Sequence, residues 1–435
     1  MTAFDFLAGF VFIYPALMAV AWTVGGLVFW WRTEREAERG QGPPGPAAGA
    51  DGSASDAWPP VTIVVPCRNE AAAIARTCRN LCRLDYPDYR VLLVDDASTD
   101  GTAEAVRPFL DEFGFFHLLR LTRHHGKAGA LNAALGLVTT PLVLVLDADT
   151  ALGERSLGCF VRPFLRQPRL GAVTGNPLPQ NRAGLLGNLQ AAEFAAIIGL
   201  IKRSQRVWGR LLTVSGCATM YRTETLRRVG GFSTRTATDD IDITWRIQRD
   251  ASEVWFEPRA TVLIQIPLRV REYLRQRYRW ALGGWHLLRT HASVWRSWRH
   301  RRLWPTYLEF GVSYLWAFCF VGCTVAWAAA LVLGRRLPGL SPVPAWHGGV
   351  LSLLCVVQMA AAVLVNTPYD PGLRRSFFWV PWYPLFFFVM GAFLAVWSAP
   401  RGLLGPLEGM GRWMSPGRAA KDAPGRAAKD AQRPR

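Results

Sequence analysis

Carboxylates placed two at a time are the first residues in this chain that could do chemistry. Asp95 and Asp96 stand side by side in DDASTD, and Asp147 and Asp149 stand one residue apart in DADT. Neighbouring anions repel, so each pair needs a compensating cation or a donor-rich ligand. A divalent cation that also grips phosphate oxygens supplies both, which points to metal-assisted chemistry on a phosphorylated substrate. A lone Asp-x-Asp is common in turns and says little by itself. The coincidence says more, because both pairs follow short apolar runs, VLLV at 91–94 and LVLVL at 142–146.

Those runs and VTIVV at 61–65 have strand length and carry no charge. They alternate with helical patterns near 69–83, 100–113 and 127–137. Strands apolar on both faces and separated by helices predict an α/β domain with a mostly parallel sheet covered on each side. Ligands of such sheets bind beyond the carboxyl ends of the strands, so VPCRNE, DDASTD and DADT are expected on one rim.

The rest of the chain reads as membrane protein. Half of its 435 residues are apolar and its formal net charge is +18, a composition that excludes disorder throughout. The eight cysteines are scattered, which excludes a disulfide scaffold, and Cys78 and Cys82 read as helix packing, not as zinc ligands. No charge occurs from Phe6 to Trp31, a stretch exceeding the ~20 residues needed to cross a bilayer. Asp5 stands where a cleaved signal would be basic. Further apolar stretches occupy 310–334, 349–365 and 377–398. Arg32, Arg35 and Arg39 follow the first span and no basic residue precedes it, so the region from Glu34 onward is expected in the cytoplasm. Three late crossings would then put a tail with eight basic residues outside. Either one late stretch is interfacial or re-entrant, or the tail is a weak signal, and the number of crossings stays open.

The expected organisation is an N-terminal transmembrane helix at 1–32 and a flexible Gly/Pro/Ala-rich linker at 33–58. A cytosolic domain at 59–267 follows, then basic amphipathic interfacial helices at 268–303. A C-terminal membrane region covers 304–398, and a disordered basic tail covers 399–435, where PGRAAKDA occurs twice. The excess positive charge concentrates beside the spans, where membrane topology accounts for it, so nucleic acid is not an expected partner.

The succession VPCRNE, DDASTD, HHGKAGALN, DADT, TDDID and QRYRW resembles the processive family 2 glycosyltransferases, the group that contains cellulose, hyaluronan and chitin synthases. FIYPALMAVAWTVGG, GAVTGNP, EFAAIIGLIKRSQRVWG, FEPRA and GRWMSP are most similar to poly-β-1,6-N-acetylglucosamine synthases of bacterial biofilms. The resemblance runs from about residue 12 to 417. It implies a nucleotide-sugar-binding domain of GT-A type inserted between transmembrane helices in a bacterial inner membrane, with the catalytic domain cytosolic. It implies an inverting transferase that polymerises N-acetylglucosamine from a UDP-sugar donor onto a growing polysaccharide acceptor. Magnesium or manganese (Mg2+ or Mn2+) would be the cofactor and a small integral-membrane accessory subunit the partner. The alternative is a related enzyme using another UDP-sugar, or adding one sugar to a lipid acceptor.

Residue by residue, the resemblance places Asp95 at the nucleotide with Glu70 and Lys127 nearby, and Asp147 and Asp149 at the metal and diphosphate. Lys127 reads equally as a helix cap. In TDDID the family has a glutamate where Asp239 stands, among the substrate contacts, and its catalytic base corresponds to Asp240. Read without the family, TDDID is a helix N-terminus with Thr238 as cap and Asp239, Asp240 and Asp242 facing the helix dipole. Gln276, Arg279 and Trp280 fall three and four apart and so share one helical face. The family uses the first two on the diphosphate and the tryptophan on the acceptor sugar. Arg68 replaces a residue that is aromatic in many relatives and lies against the uracil; a guanidinium can stack on a base in its stead.

Overall fold

The computed structural model describes residues 3–35, 58–335, 346–384 and 389–407; most of the expected linker and tail lies outside them. Strand-length apolar runs can satisfy their backbone and hide both faces only inside a layered sheet, and the centre of the molecule is built that way. Four strands run parallel in the order β3-β2-β1-β4: β1 (Val61–Cys67), β2 (Tyr89–Asp95), β3 (Phe116–Arg120) and β4 (Leu142–Leu146). The sheet continues through β7 (Ala218–Arg222), β6 (Leu170–Pro179), β8 (Glu253–Ile264) and the two-residue β5 (Ala151–Leu152). β7 is antiparallel to β4, so the start of β7 meets the end of β4, Ala218 opposite Leu146. All the parallel strands end on the same edge, and the loop entering β7 joins them there.

Alternate residues of the central strands feed two cores. Ile63, Val65, Leu93, Leu144 and Leu146 pack with Ile74, Cys78 and Leu81 of α2 (Ala71–Leu81) and with Leu157, Phe160 and Val161 of α5 (Ser156–Arg166). Val64, Leu92, Val94, Val143 and Val145 face α4 (Gly126–Leu135), whose Ala128, Leu131 and Ala134 lie against the sheet, and Ile243 and Ile247 of a later helix. Each fully buried Ile or Leu here contributes roughly 1.5–3 kcal/mol. Between β2 and β3 runs α3 (Thr102–Glu112). All eight cysteines are free thiols, and Cys78 is a packing residue.

Among the described residues, four helices are long and apolar enough to cross a membrane: Phe6–Glu34, Gly184–Trp208, Trp298–Val332 and Gly348–Asn366. They correspond to α1 (Ala3–Phe29, extended by a π-helical turn to Glu34), α6 (Gly184–Trp208, with a π-helical segment at Phe194–Leu200), α9 (Trp304–Val332) and α10 (Trp346–Asn366). The second was not among the apolar stretches read from sequence, and it is largely buried against the rest of the protein. The stretch at 377–398 is only partly described. Phe377–Trp382 is a 3-10 turn containing Pro381 and α11 covers Met390–Leu404, while residues 385–388 between them lie outside the described residues. α11 also runs beyond Ser398, where the sequence suggested the membrane region ends.

Behind the sheet, the end of α1 is tied to α6. Glu34 accepts from Arg203 Nε at 2.6 Å and Nη2 at 2.9 Å, Arg203 Nη1 donates to Asn366 Oδ1 at 3.1 Å, and Tyr369 donates to Glu34 at 2.6 Å. Arg203 is fully buried, and its guanidinium lies over Phe256 of β8. One buried ion pair therefore fastens α1, α6, the end of α10 and the sheet to one another.

Candidate active site

The ends of β1, β2 and β4 present the motifs to the rim, and local hydrogen bonds decide which carboxylates stay available. Asp96 is spent on structure. Its carboxylate accepts from the backbone N–H of His125 and of Gly126, both at 2.8 Å, and lies 2.7 Å from His124 Nδ1. Those N–H groups are the unsatisfied donors at the start of α4. Gly126 makes the turn at φ +77°, where a side chain would be strained. Asp96, not Lys127, thus holds this helix end, which leaves the lysine side chain free to reach the rim.

Asp95 is fully buried. Its Oδ1 accepts from Ser98 N at 2.9 Å, and Arg120 Nε stands 3.3 Å from its Oδ2. The neighbouring loop is wired to it: Asn69 N donates to Ser98 Oγ at 3.0 Å and Asn69 Oδ1 accepts from Thr99 N at 2.9 Å. Asn69 and Ala97 both sit at positive φ, backbone strain of the sort that collects at binding rims. Glu70 opens α2, its carbonyl accepting from Ala73 and Ile74 and its N–H donating to Thr102 Oγ1 at 2.9 Å. Asp96 thus finds its compensation within the protein, whereas Asp95 Oδ2 is buried with no hydrogen-bond partner and has only the Arg120 guanidinium beside it.

The second pair is different. Asp147 N donates to the carbonyl of Cys217 at 2.9 Å, and Thr77 holds the carbonyl of Ala148, so Asp147 and Asp149 are fixed at the mouth of the cleft with only partial cover. Lys127 Nζ donates to Asp147 Oδ1 at 2.5 Å and to the carbonyl of Gly216 at 2.9 Å. Burial raises the Asp147 carboxyl, the lysine opposes that, and Asp149 adds to it. Burial disfavours the Lys127 ammonium, yet Asp147, Asp239 and Asp240 together hold it above the ordinary lysine range. A single cation is surrounded by three carboxylates from two elements.

Asp239 and Asp240 start α7 (Asp239–Arg249). Thr238 makes no side-chain cap bond; its hydroxyl lies instead against α8 (Val270–Thr290) at Gly283, where a Cβ would come within 2.2 Å of it. Asp242 is the structural acid of the trio. It pairs with Arg246 at 2.7 Å and His291 at 3.1 Å, and although burial raises it, these partners bring it below the usual carboxylate range. Asp240 keeps one bond, from the N–H of Ile241 at 2.9 Å, and packs against Gly216. Burial and then the neighbouring Asp239 push its carboxyl up to about 6, against the pull of Lys127 and of Arg279.

Arg279 on α8 thus acts on Asp240, and the same helix carries Gln276 and Trp280. Trp280 packs on the sheet core and meets Phe194 edge-on at 6.5 Å. The structure brings Lys127, Asp147, Asp149, Asp239 and Asp240 to one crevice with Arg279 at its wall; Asp95 and Glu70 lie on adjoining strand ends, and Gln276 and Trp280 lie on the helix that closes it. Three residues were not singled out from sequence. Gly216 and Cys217 supply the carbonyls that hold Lys127 and Asp147. Lys202 lies beneath them, donating to Ser215 Oγ at 2.7 Å. A run of small residues, SGCA, directly before a buried strand was the available signal. Among the described residues no three His, Cys, Asp or Glu side chains are grouped to hold a metal by themselves.

Comparison with known proteins gives a consistent picture. The model of a family described as glycosyltransferase like family 2 matches residues 59–283. A poly-beta-1,6-N-acetyl-D-glucosamine synthase of Staphylococcus epidermidis is 28% identical over 414 residues, 94% of this chain and 98% of that protein. A synthase of the same description from Staphylococcus aureus strain COL is 28% identical over 416 residues, with the same coverage. Among solved structures, a mannosyltransferase from Pyrobaculum calidifontis in complex with GDP-Man and Mn2+ superposes with a TM-score of 0.56 at 23% identity, covering 82% of this chain and 99% of that one.

Proposed function

The chain belongs to glycosyltransferase-like family 2 and is a glycosyltransferase of GT-A-like fold; from that premise we propose that it polymerises N-acetylglucosamine from UDP-N-acetylglucosamine into a β-1,6-linked chain. It does so at the cytosolic side of a bacterial inner membrane and passes the product through its own helices. The observation that carries this reading is the single crevice in which Lys127, Asp147, Asp239 and Asp240 act on one another. The relatives named as poly-β-1,6-N-acetylglucosamine synthases, matched over nearly their whole length, support the choice of sugar and linkage.

In this reading Asp240 takes the proton from the acceptor's 6-hydroxyl while that oxygen attacks the anomeric carbon of the donor. The new C–O bond forms on the face opposite the UDP, and the bond to the diphosphate breaks with its electron pair leaving on UDP. A carboxyl held at about 6 is ionised at neutral pH yet basic enough to accept that proton, which suits a general base. Lys127, Gln276 and Arg279 receive the diphosphate, Asp95 and Glu70 bound the nucleotide, Asp239 contacts the acceptor and Trp280 stacks on its sugar.

Magnesium or manganese fits the donor set. Asp147 and Asp149 offer hard oxygen ligands, the partial cover of Asp147 leaves it accessible, and a site with fewer than three protein ligands matches ions that complete their shell with substrate phosphates and water. Held there, the ion would neutralise charge gathering on the departing diphosphate.

The test is donor-panel turnover by the full chain in nanodiscs. UDP release with UDP-N-acetylglucosamine and Mg2+ or Mn2+, yielding a polymer cut by a β-1,6-specific hexosaminidase, is expected. No UDP release from any donor, or a lipid-linked monosaccharide as sole product, overturns the reading.

A further inference from the structure

Within QRYRW, the residue between Gln276 and Tyr278 is buried, although it carries a charge. Arg277 is 9% exposed, and Glu193 on α6 is 3% exposed. Arg277 Nη2 donates to Glu193 Oε2 at 2.5 Å. The guanidinium carbon lies 4.0 Å from the ring centroid of Trp280 and 4.6 Å from that of Tyr273. Spacings of four and three residues along α8 put these three side chains in one stack. Phe194, the residue after Glu193, holds the Trp280 ring edge-on.

Hydrogen bonding, with Glu193 and Tyr273 as the polar neighbours of Arg277, accounts for only part of the arrangement. Arg277 Nε and Nη1 and Glu193 Oε1 have no hydrogen-bond partner, so two buried ions share one bond where good geometry could give two. A guanidinium that forgoes donors in this way is placed for its flat face, which stacks on an indole as an ammonium cannot. An indole with both faces open could receive a sugar on either side. Arg277 fills one face and Phe194 holds one edge, while the ring stays part-exposed.

We propose that Arg277, anchored by Glu193, is a positioning residue that covers one face of Trp280 and so reserves the opposite face for the acceptor sugar. The inference rests on the acceptor-stacking role of Trp280 proposed above. Its effect is on where the sugar's hydroxyl arrives relative to Asp240, so it should govern acceptor use and chain length, not donor binding.

The test uses the full chain in nanodiscs with a short β-1,6-linked N-acetylglucosamine oligomer as acceptor, alongside displacement of a fluorescent UDP analogue. Arg277→Lys keeps a charge for Glu193 and loses the planar stack; Glu193→Gln loses the anchor. Both are expected to raise the acceptor KM by about tenfold, the size of a lost stack, and to shorten the product, with UDP affinity retained. In a Trp280→Ala background Arg277→Lys should add nothing further. Wild-type acceptor KM and product length in Arg277→Lys overturn the positioning role, as does an equal loss of UDP affinity, or an undiminished effect in the Trp280→Ala background. A wild-type protein that turns over no sugar nucleotide overturns the function on which the inference rests, and the inference with it.

Discussion

Replacing Asp240 by Asn should end transfer and stabilise the fold. Burial and the adjacent Asp239 hold the Asp240 carboxyl at about 6, against 3.8 in the ordinary case. Because the folded state binds this proton more tightly than the unfolded chain does, folding loses stability as pH rises from 3.8 through about 6, and above that the full cost is present. At ~1.4 kcal/mol per pH unit the cost at pH 8 is roughly 3 kcal/mol, reduced to about 2 by the partial opening of the cleft to solvent. Asparagine keeps the shape and accepts from Ile241 N–H without the charge. The assay is thermal unfolding of both proteins in one detergent at one scan rate, since membrane proteins commonly unfold irreversibly. Asp240→Asn should melt several degrees higher at pH 8, with about half that gain at pH 5, as a titration between these two pKa values requires. Transfer should fall by about 10²–10⁴-fold, UDP should still bind, and wild-type kcat/KM should lose activity below a pH near 6. A lower melting point at pH 8, or a gain that does not shrink on acidification, refutes the claim that this carboxylate is desolvated; undiminished turnover refutes its role as base.

Other substitutions probe the supports of the crevice. Lys127→Met leaves Asp147 and the Gly216 carbonyl without their shared donor, and donor KM in steady-state assays should rise at least about tenfold, as for a lost charge-assisted bond of ~1.5–3 kcal/mol. Gly283→Ala puts a Cβ within 2.2 Å of Thr238 Oγ1 and should push α8 off the start of α7. Its kcat should drop by about 10²-fold through misplacement of Asp240 and Arg279, and adding Thr238→Ala should restore part of it. Glu34→Gln strands the buried Arg203 guanidinium and should cost about 3–5 kcal/mol in unfolding measurements, whereas the double variant Glu34→Met/Arg203→Met should lose less than either single change.

Much of the frame was legible because its physics is local. VTIVV, VLLV and LVLVL can only be buried strands, and their register places three acidic or polar motifs on one edge. What escaped was decided by contacts far apart in sequence. Asp96 looks like Asp95 on paper; only the meeting of β2 with the start of α4 shows that its oxygens are taken. TDDID contains a satisfied acid, Asp242, beside a poorly satisfied one, Asp240, and the difference comes from Arg246 and His291. The apolar helix at 184–208 ends in Lys202, Arg203 and Arg206, which obscured it because the partner of Arg203, Glu34, lies 169 residues away. The stretch at 377–398 opens with a 3-10 turn containing Pro381, which its apolar composition does not reveal.

The bond between Glu34 and Arg203 also bears on dissection of this enzyme. Cutting the gene after the first span would remove the carboxylate and leave its cation in the interior with only Asn366, the Val365 carbonyl and aromatic rings around it. Adding back a separately expressed first helix in the same detergent should then recover folding, because one glutamate couples insertion of the anchor to completion of the domain.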